Sequence, residues 1–87
     1  MELIKKVMEM RGMRRQEIVD YFKSLDNTVY EKDSFCGDGW RVEIGEEIII
    51  GMRVFQVPST TLIFSGDKEI LDKIIYKFRL RFLTAGG

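Results

Sequence analysis

Histidine is absent from all 87 residues, which removes the commonest general base, the usual partner of a nucleophilic serine or cysteine, and the commonest zinc ligand. One cysteine, Cys36, excludes an internal disulfide and a cysteine-based structural zinc site. Its neighbours Asp33 and Asp38 are acidic and would raise a thiol pKa where a nucleophile needs it lowered, so Cys36 reads as a small, partly buried residue. Glu46-Glu47, and Asp33 near Asp38, offer paired carboxylates of the kind a glycosidase or hard-cation site employs. Adjacent strand residues point to opposite faces, which favours a solvated turn for Glu46 and Glu47. Neither Gly37-x-Gly39 nor Ser65-Gly66-Asp67 completes a nucleotide-binding fingerprint, and both read as turns. No catalytic constellation, metal site or cofactor site is expected.

Several residues suit binding better. Arg11, Arg14 and Arg15 gather at the start of the first predicted helix, where the helix dipole disfavours cations; an acidic partner or a solvated charged face would each account for them. Trp40 and Arg41 follow a glycine-rich turn; a tryptophan there can be an interface anchor, but a core anchor is favoured at the start of a strand. Arg79 and Arg81 lie among aromatics, but Phe78 and Phe82 fall on an apolar helical stripe. The terminal Gly86-Gly87 matches the side-chain-free tail that sulfur carriers thread into an activating enzyme. Here the pair follows a predicted helix, whereas such carriers end on a strand.

The elements that would position these residues follow from periodicity. Residues 2–11 fit either a helix or a strand, and the strand is favoured because Gly12 closes it and a better helix follows. In 13–25, Ile18, Val19, Phe22 and Leu25 recur at helical spacing. Residues 28–35 read as a strand, Trp40, Val42 and Ile44 alternate with charges, and Gly45-Glu46-Glu47 is a plausible hairpin turn before the Ile48-Ile49-Ile50 run. Pro58-Ser59 interrupts, 60–64 resumes as a strand, and Ser65 or Asp67 caps a last helix through Phe82. The expectation is a single α+β domain over residues 1–87. It is a two-layer sandwich in the order β-α-β-β-β-α, with a four-stranded, mainly antiparallel sheet and two helices on one face, related to ferredoxin-like folds.

Fourteen basic and fourteen acidic residues cancel, so no global field draws the chain to nucleic acid or an anionic membrane. The charge is nonetheless segmented, from +2 over 1–25 through −5 over 26–47 to +3 over 48–87, which suits a complementary protein partner. With no signal-like or membrane-length apolar run, the cytoplasm is the expected location. Another protein, or a second copy in a homodimer, is the expected partner.

Arg11-Gly12, Gly39-Trp40-Arg41, Val57-Pro58, Phe64-Ser65-Gly66, the run Arg79-Leu80-Arg81-Phe82-Leu83 and Gly86-Gly87 together resemble the C-terminal domain of proteins related to the small subunit of molybdopterin synthase, the MoaD-related proteins. The resemblance implies a βαββ-type α+β domain, attached elsewhere to a ubiquitin-like sulfur carrier in molybdenum-cofactor biosynthesis, with no established activity of its own. The β-α opening departs from the β-hairpin that begins such a carrier, so an accessory domain is expected. A carrier acting through Gly87 is the alternative.

Overall fold

The computed structural model describes residues 2–86. Strand β1 (Leu3–Arg11) leads to helix α1 (Arg15–Lys23), followed by β2 (Val29–Glu31), β3 (Ser34–Gly37), β4 (Trp40–Met52), β5 (Phe55–Asp67) and α2 (Lys68–Gly86). The sheet order is β1-β5-β4-β3-β2, and every neighbouring pair is antiparallel. Strands β2 to β5 form a meander, and β1 closes the far side of β5.

The α+β class and the two helices agree with expectation; the strand count and order do not. The sheet has five strands, in the order β-α-β-β-β-β-α. Residues 28–35 divide into β2 and the start of β3, because Lys32 turns the chain at φ 52°. Gly45-Glu46 is a bulge rather than a hairpin turn: β4 passes straight through, with Ile44 opposite Leu62 and Glu47 opposite Thr60. Two residues of β4 thus face Thr61 alone. The reversal between β4 and β5 falls instead at Arg53-Val54.

Pro58 does not break β5. Its carbonyl accepts the Gly12 N–H at 2.9 Å, on the side where β1 has ended at the Arg11–Ser59 pair. A strand residue presents its N–H and C=O to the same side, so the donor that proline lacks is one no neighbouring strand requires.

One sheet face carries the core. Trp40, Val42 and Ile44 of β4, Leu62 and Phe64 of β5 and Phe35 of β3 pack against Ile18, Val19 and Phe22 of α1 and Leu71, Ile75, Phe78 and Phe82 of α2. Phe22 is fully buried, and its ring meets those of Phe35, Trp40, Phe64 and Phe78 with centroids 5.4–6.2 Å apart. Burying large aromatics in this way compensates for the small core of an 87-residue chain. Helix α1 starts with the Glu17 carboxylate accepting the Arg14 backbone N–H at 3.0 Å. Helix α2 is capped by Asp67, whose carboxylate accepts the Ile70 N–H at 3.3 Å. No helix of the described residues is long and apolar enough to cross a membrane.

Candidate protein-binding surface

Strands β4 and β5 each run for 13 residues, which at 3.3–3.4 Å per residue is about 43 Å and accounts for the molecule's longest dimension of 46 Å. Their neighbours are much shorter. Strand β3 accompanies β4 only as far as Glu43, and β1 accompanies β5 only from Ser59 onward. Residues 47–58 therefore project as a two-stranded arm. β-Branched Ile48, Ile49 and Ile50 suit the pleat, yet the arm places apolar side chains in solvent: Ile48 is 55% exposed, Ile49 54%, Val54 87% and Phe55 71%. Ile48, Ile50, Val57 and Phe55 share the outer sheet face, and Ile49 lies on the helix face. Along the arm a cleft of about 450 Å³ is lined by Arg11, Ile50, Gly51, Phe55 and Val57.

The root of the arm is held by an arginine clasp. The Arg15 backbone N–H donates to Glu47 Oε1 at 2.8 Å. Its guanidinium donates to the carbonyls of Gly45 and Ile44 at 2.8 and 3.3 Å, and to Asp33 Oδ1 at 2.8 Å. Asp33 in turn accepts the Ile44 N–H through its carbonyl at 2.7 Å. Arg14 adds an ion pair to Glu47 Oε2 at 3.2 Å. The start of α1, the β2–β3 turn and the β4 bulge thus meet at one point. A carboxylate at a helix N-terminus offsets the cations that the dipole would otherwise disfavour there.

The residues singled out from sequence do not gather at one place. Arg14 and Arg15 belong to the clasp, and Arg11 pairs with Glu9 at the edge of the 450 Å³ cleft. Trp40 is 8% exposed, its ring lying across Gly37, where an added Cβ would stand 2.0 Å from Nε1. Arg41 is exposed on the outer face beside Glu43 at 3.5 Å, within 4.0 Å of Cys36 Sγ. It also lines a second hollow, of about 410 Å³, with Glu31, Lys32, Asp33 and Glu43. Gly86 is the last residue of α2, and Gly87 lies outside the described residues. Among the described residues no group of three or more acidic or thiol side chains is placed to hold a metal ion.

Sequence reasoning missed the arm because it placed the turn at Gly45 and an interruption at Pro58. The available signal was the apolar run on both sides of Arg53-Val54, longer than any strand that its neighbours could cover.

No curated protein and no solved structure matches the chain. The model of the archaeal MoaD-like protein family matches residues 6–87, from within β1 through both helices and the clasp; the chain belongs to the archaeal MoaD-like protein family.

Proposed function

We propose that this chain is a non-catalytic protein-interaction domain serving molybdenum-cofactor or sulfur-transfer metabolism in the cytoplasm, and that it engages its partner through the arm of residues 47–58. The observation that carries the reading is the exposure of Ile48, Ile49, Val54 and Phe55 on a hairpin with no strand on either side. Such a hairpin offers main-chain hydrogen bonds along its edges and apolar anchors on its faces, the two components of recognition by strand addition. The partner that fits is a protein with an apolar groove beside an open strand.

The test is a titration of the chain against the large subunit of molybdopterin synthase from the same source, comparing wild type with V54D and F55D. Exposed positions make both variants compatible with folding. At least a tenfold loss of affinity is expected from burying a charge at an apolar anchor. Equal affinity for all three chains, or no binding by any, would overturn the arm as the docking element for that partner.

The family match favours a second reading, a sulfur carrier acting through Gly87. Intact-mass measurement after incubation with ATP, a sulfur donor and the activating enzyme decides it, with a chain lacking Gly86-Gly87 as control. A thiocarboxylate mass shift confined to the full chain would establish the carrier.

A further inference from the structure

Strand β1 is an open edge. It is the outermost strand of the sheet, and all nine residues pair with β5 in unbroken register. It contains no proline or bulge; its protection is charge alone, from Lys5, Lys6, Glu9 and Arg11, so what it can pair with depends on the charges set opposite. Leu3 and Val7 are 74% and 68% exposed.

We propose that β1 pairs antiparallel with β1 of a second copy, centred on Val7, to form a two-fold dimer with one continuous ten-stranded sheet. The charge pattern of the strand selects both the occupant and the register. Antiparallel pairing about a two-fold axis keeps the same face of both sheets on one side, so a residue lies opposite one of the same parity. Centred on Val7, all nine residues find a partner. Lys5 then faces the partner's Glu9, and Glu9 faces the partner's Lys5. Val7 meets the partner's Val7, while Ile4 meets the partner's Met10 on the helix face.

Every neighbouring register sets like charges opposite each other, which destabilises a sheet. Centring on Lys6 opposes it to the partner's Lys6, and centring on Lys5 opposes it to the partner's Lys5. Centring on Met8 sets Lys5 against the partner's Arg11, and centring on Glu9 sets it against the partner's Glu9. The centred arrangement alone pairs opposite charges twice and uses the whole strand.

Existing contacts permit it. Lys5 has no ion pair among the described residues, whereas Lys6 is already engaged with Asp72 of α2 at 3.1 Å on the helix face. The Glu9 carboxylate is bound by Arg11 on its own strand, and the partner's Lys5 would share it. Tyr76, 64% exposed, is four residues beyond Asp72 and so lies on the flank of α2 turned towards this edge. Pairing would cover it against the second copy.

Sedimentation velocity on the full chain at low salt and tens of micromolar is the test. Wild type is expected to be a dimer. K5E and E9K each replace two attractive cross-strand pairs by two repulsive ones, so each alone should raise the dissociation constant at least about tenfold. Mixed in equal amounts, the two variants place glutamate opposite lysine at both sites and should re-form a dimer. In a C36S background, V7C should cross-link to its own copy on oxidation, because directly opposed Cα atoms, about 4.5–5.5 Å apart, fall within disulfide reach. A monomeric wild type, single variants as dimeric as wild type, a mixture that stays monomeric, or V7C that fails to cross-link would each overturn the proposal. The arm is untouched by these substitutions, so failure here leaves the proposed function standing.

Discussion

The Arg15 backbone N–H donates to Glu47 Oε1 at 2.8 Å across 32 positions of sequence. Strand β4 thereby supplies the first turn of α1 with a second carboxylate beside its own Glu17, where Arg14 at the N-cap position makes no side-chain cap hydrogen bond. The Glu47 side chain is 20% exposed, so the contact is shielded from water more than an ordinary surface pair. E47A should lower stability by about 1–2 kcal/mol, the range for losing a helix cap and leaving a charge-assisted hydrogen bond unmade. D33N should cost less, because the Asp33 side chain is 74% exposed and exposed pairs contribute about 0–1 kcal/mol. Urea unfolding of the two variants beside wild type measures both.

Two glycines separate a yielding obstacle from an unyielding one. A Cβ at Gly37 would meet the Trp40 ring at 2.0 Å, whereas one at Gly66 would meet the Gly39 carbonyl oxygen at 2.3 Å and Trp40 Cα at 2.8 Å, at a φ of +145°. A ring can swing aside; paired backbone cannot. G66A should therefore be the more destabilising, by more than about 2 kcal/mol. G37A should instead shift tryptophan fluorescence to the red as Trp40 is displaced towards solvent. A G37A spectrum identical to wild type would contradict this packing.

Thr60 is fully buried opposite Glu47, and its Oγ1 has no hydrogen-bond partner among the described residues. Valine has nearly the same shape and no hydroxyl to desolvate. T60V should raise the thermal midpoint, with a gain of about 1 kcal/mol. A destabilised T60V would mean that the hydroxyl finds a partner in solution.

Hydrogen bonds from Lys68 and Lys6 hold the Asp72 carboxyl below its ordinary value of 3.8. A lowered carboxylate pKa contributes stability that is present above the unfolded value and is lost as pH falls through the folded one. D72N should therefore flatten the acid limb of the stability profile below about pH 4, and salt should erase the difference, because Asp72 is solvent-screened. At the alkaline end, burial pushes the Tyr21 phenol above 10.0, opposed by Arg81. That contribution is present below the unfolded pKa and is lost as pH rises through the folded one, so Y21F should flatten the alkaline limb. Urea midpoints taken across pH, at low and high salt, test both limbs.

Legibility in the sequence followed how far local chemistry matched the fold. Helix α2 was readable because Asp67 caps it and Leu71, Ile75, Phe78 and Phe82 repeat on one face. Strand β1 was readable through Gly12, whose φ of 87° suits the turn that closes it. The β4–β5 reversal was not, because Arg53-Val54 contains none of the residues that announce a turn, whereas Gly45 announces one that is not made. The clasp escaped as well. Arg14 and Arg15 drew notice as cations at a helix start, but their carboxylates, Glu47 and Asp33, come from strands far along the chain, and only the bulge aims Glu47 at the helix.

The bulge at Gly45-Glu46 has a consequence for how the chain can change length. By setting two residues against one, it reverses which parity of β4 faces the helices, so Val42 and Ile44 point inward before it and Glu47 and Ile49 after it. Deleting one of the two bulge residues would leave a single residue opposite Thr61 and keep Glu47 opposite Thr60 and turned towards Arg15, whereas deleting a residue beyond the bulge would turn over the rest of the strand and exchange the arm's two surfaces. Within the arm, a residue added to one strand and one to the other extends the hairpin without changing its phase. Length variation among sequences that keep this fold should therefore be tolerated as a single missing residue at the bulge and otherwise come in matched pairs at the tip.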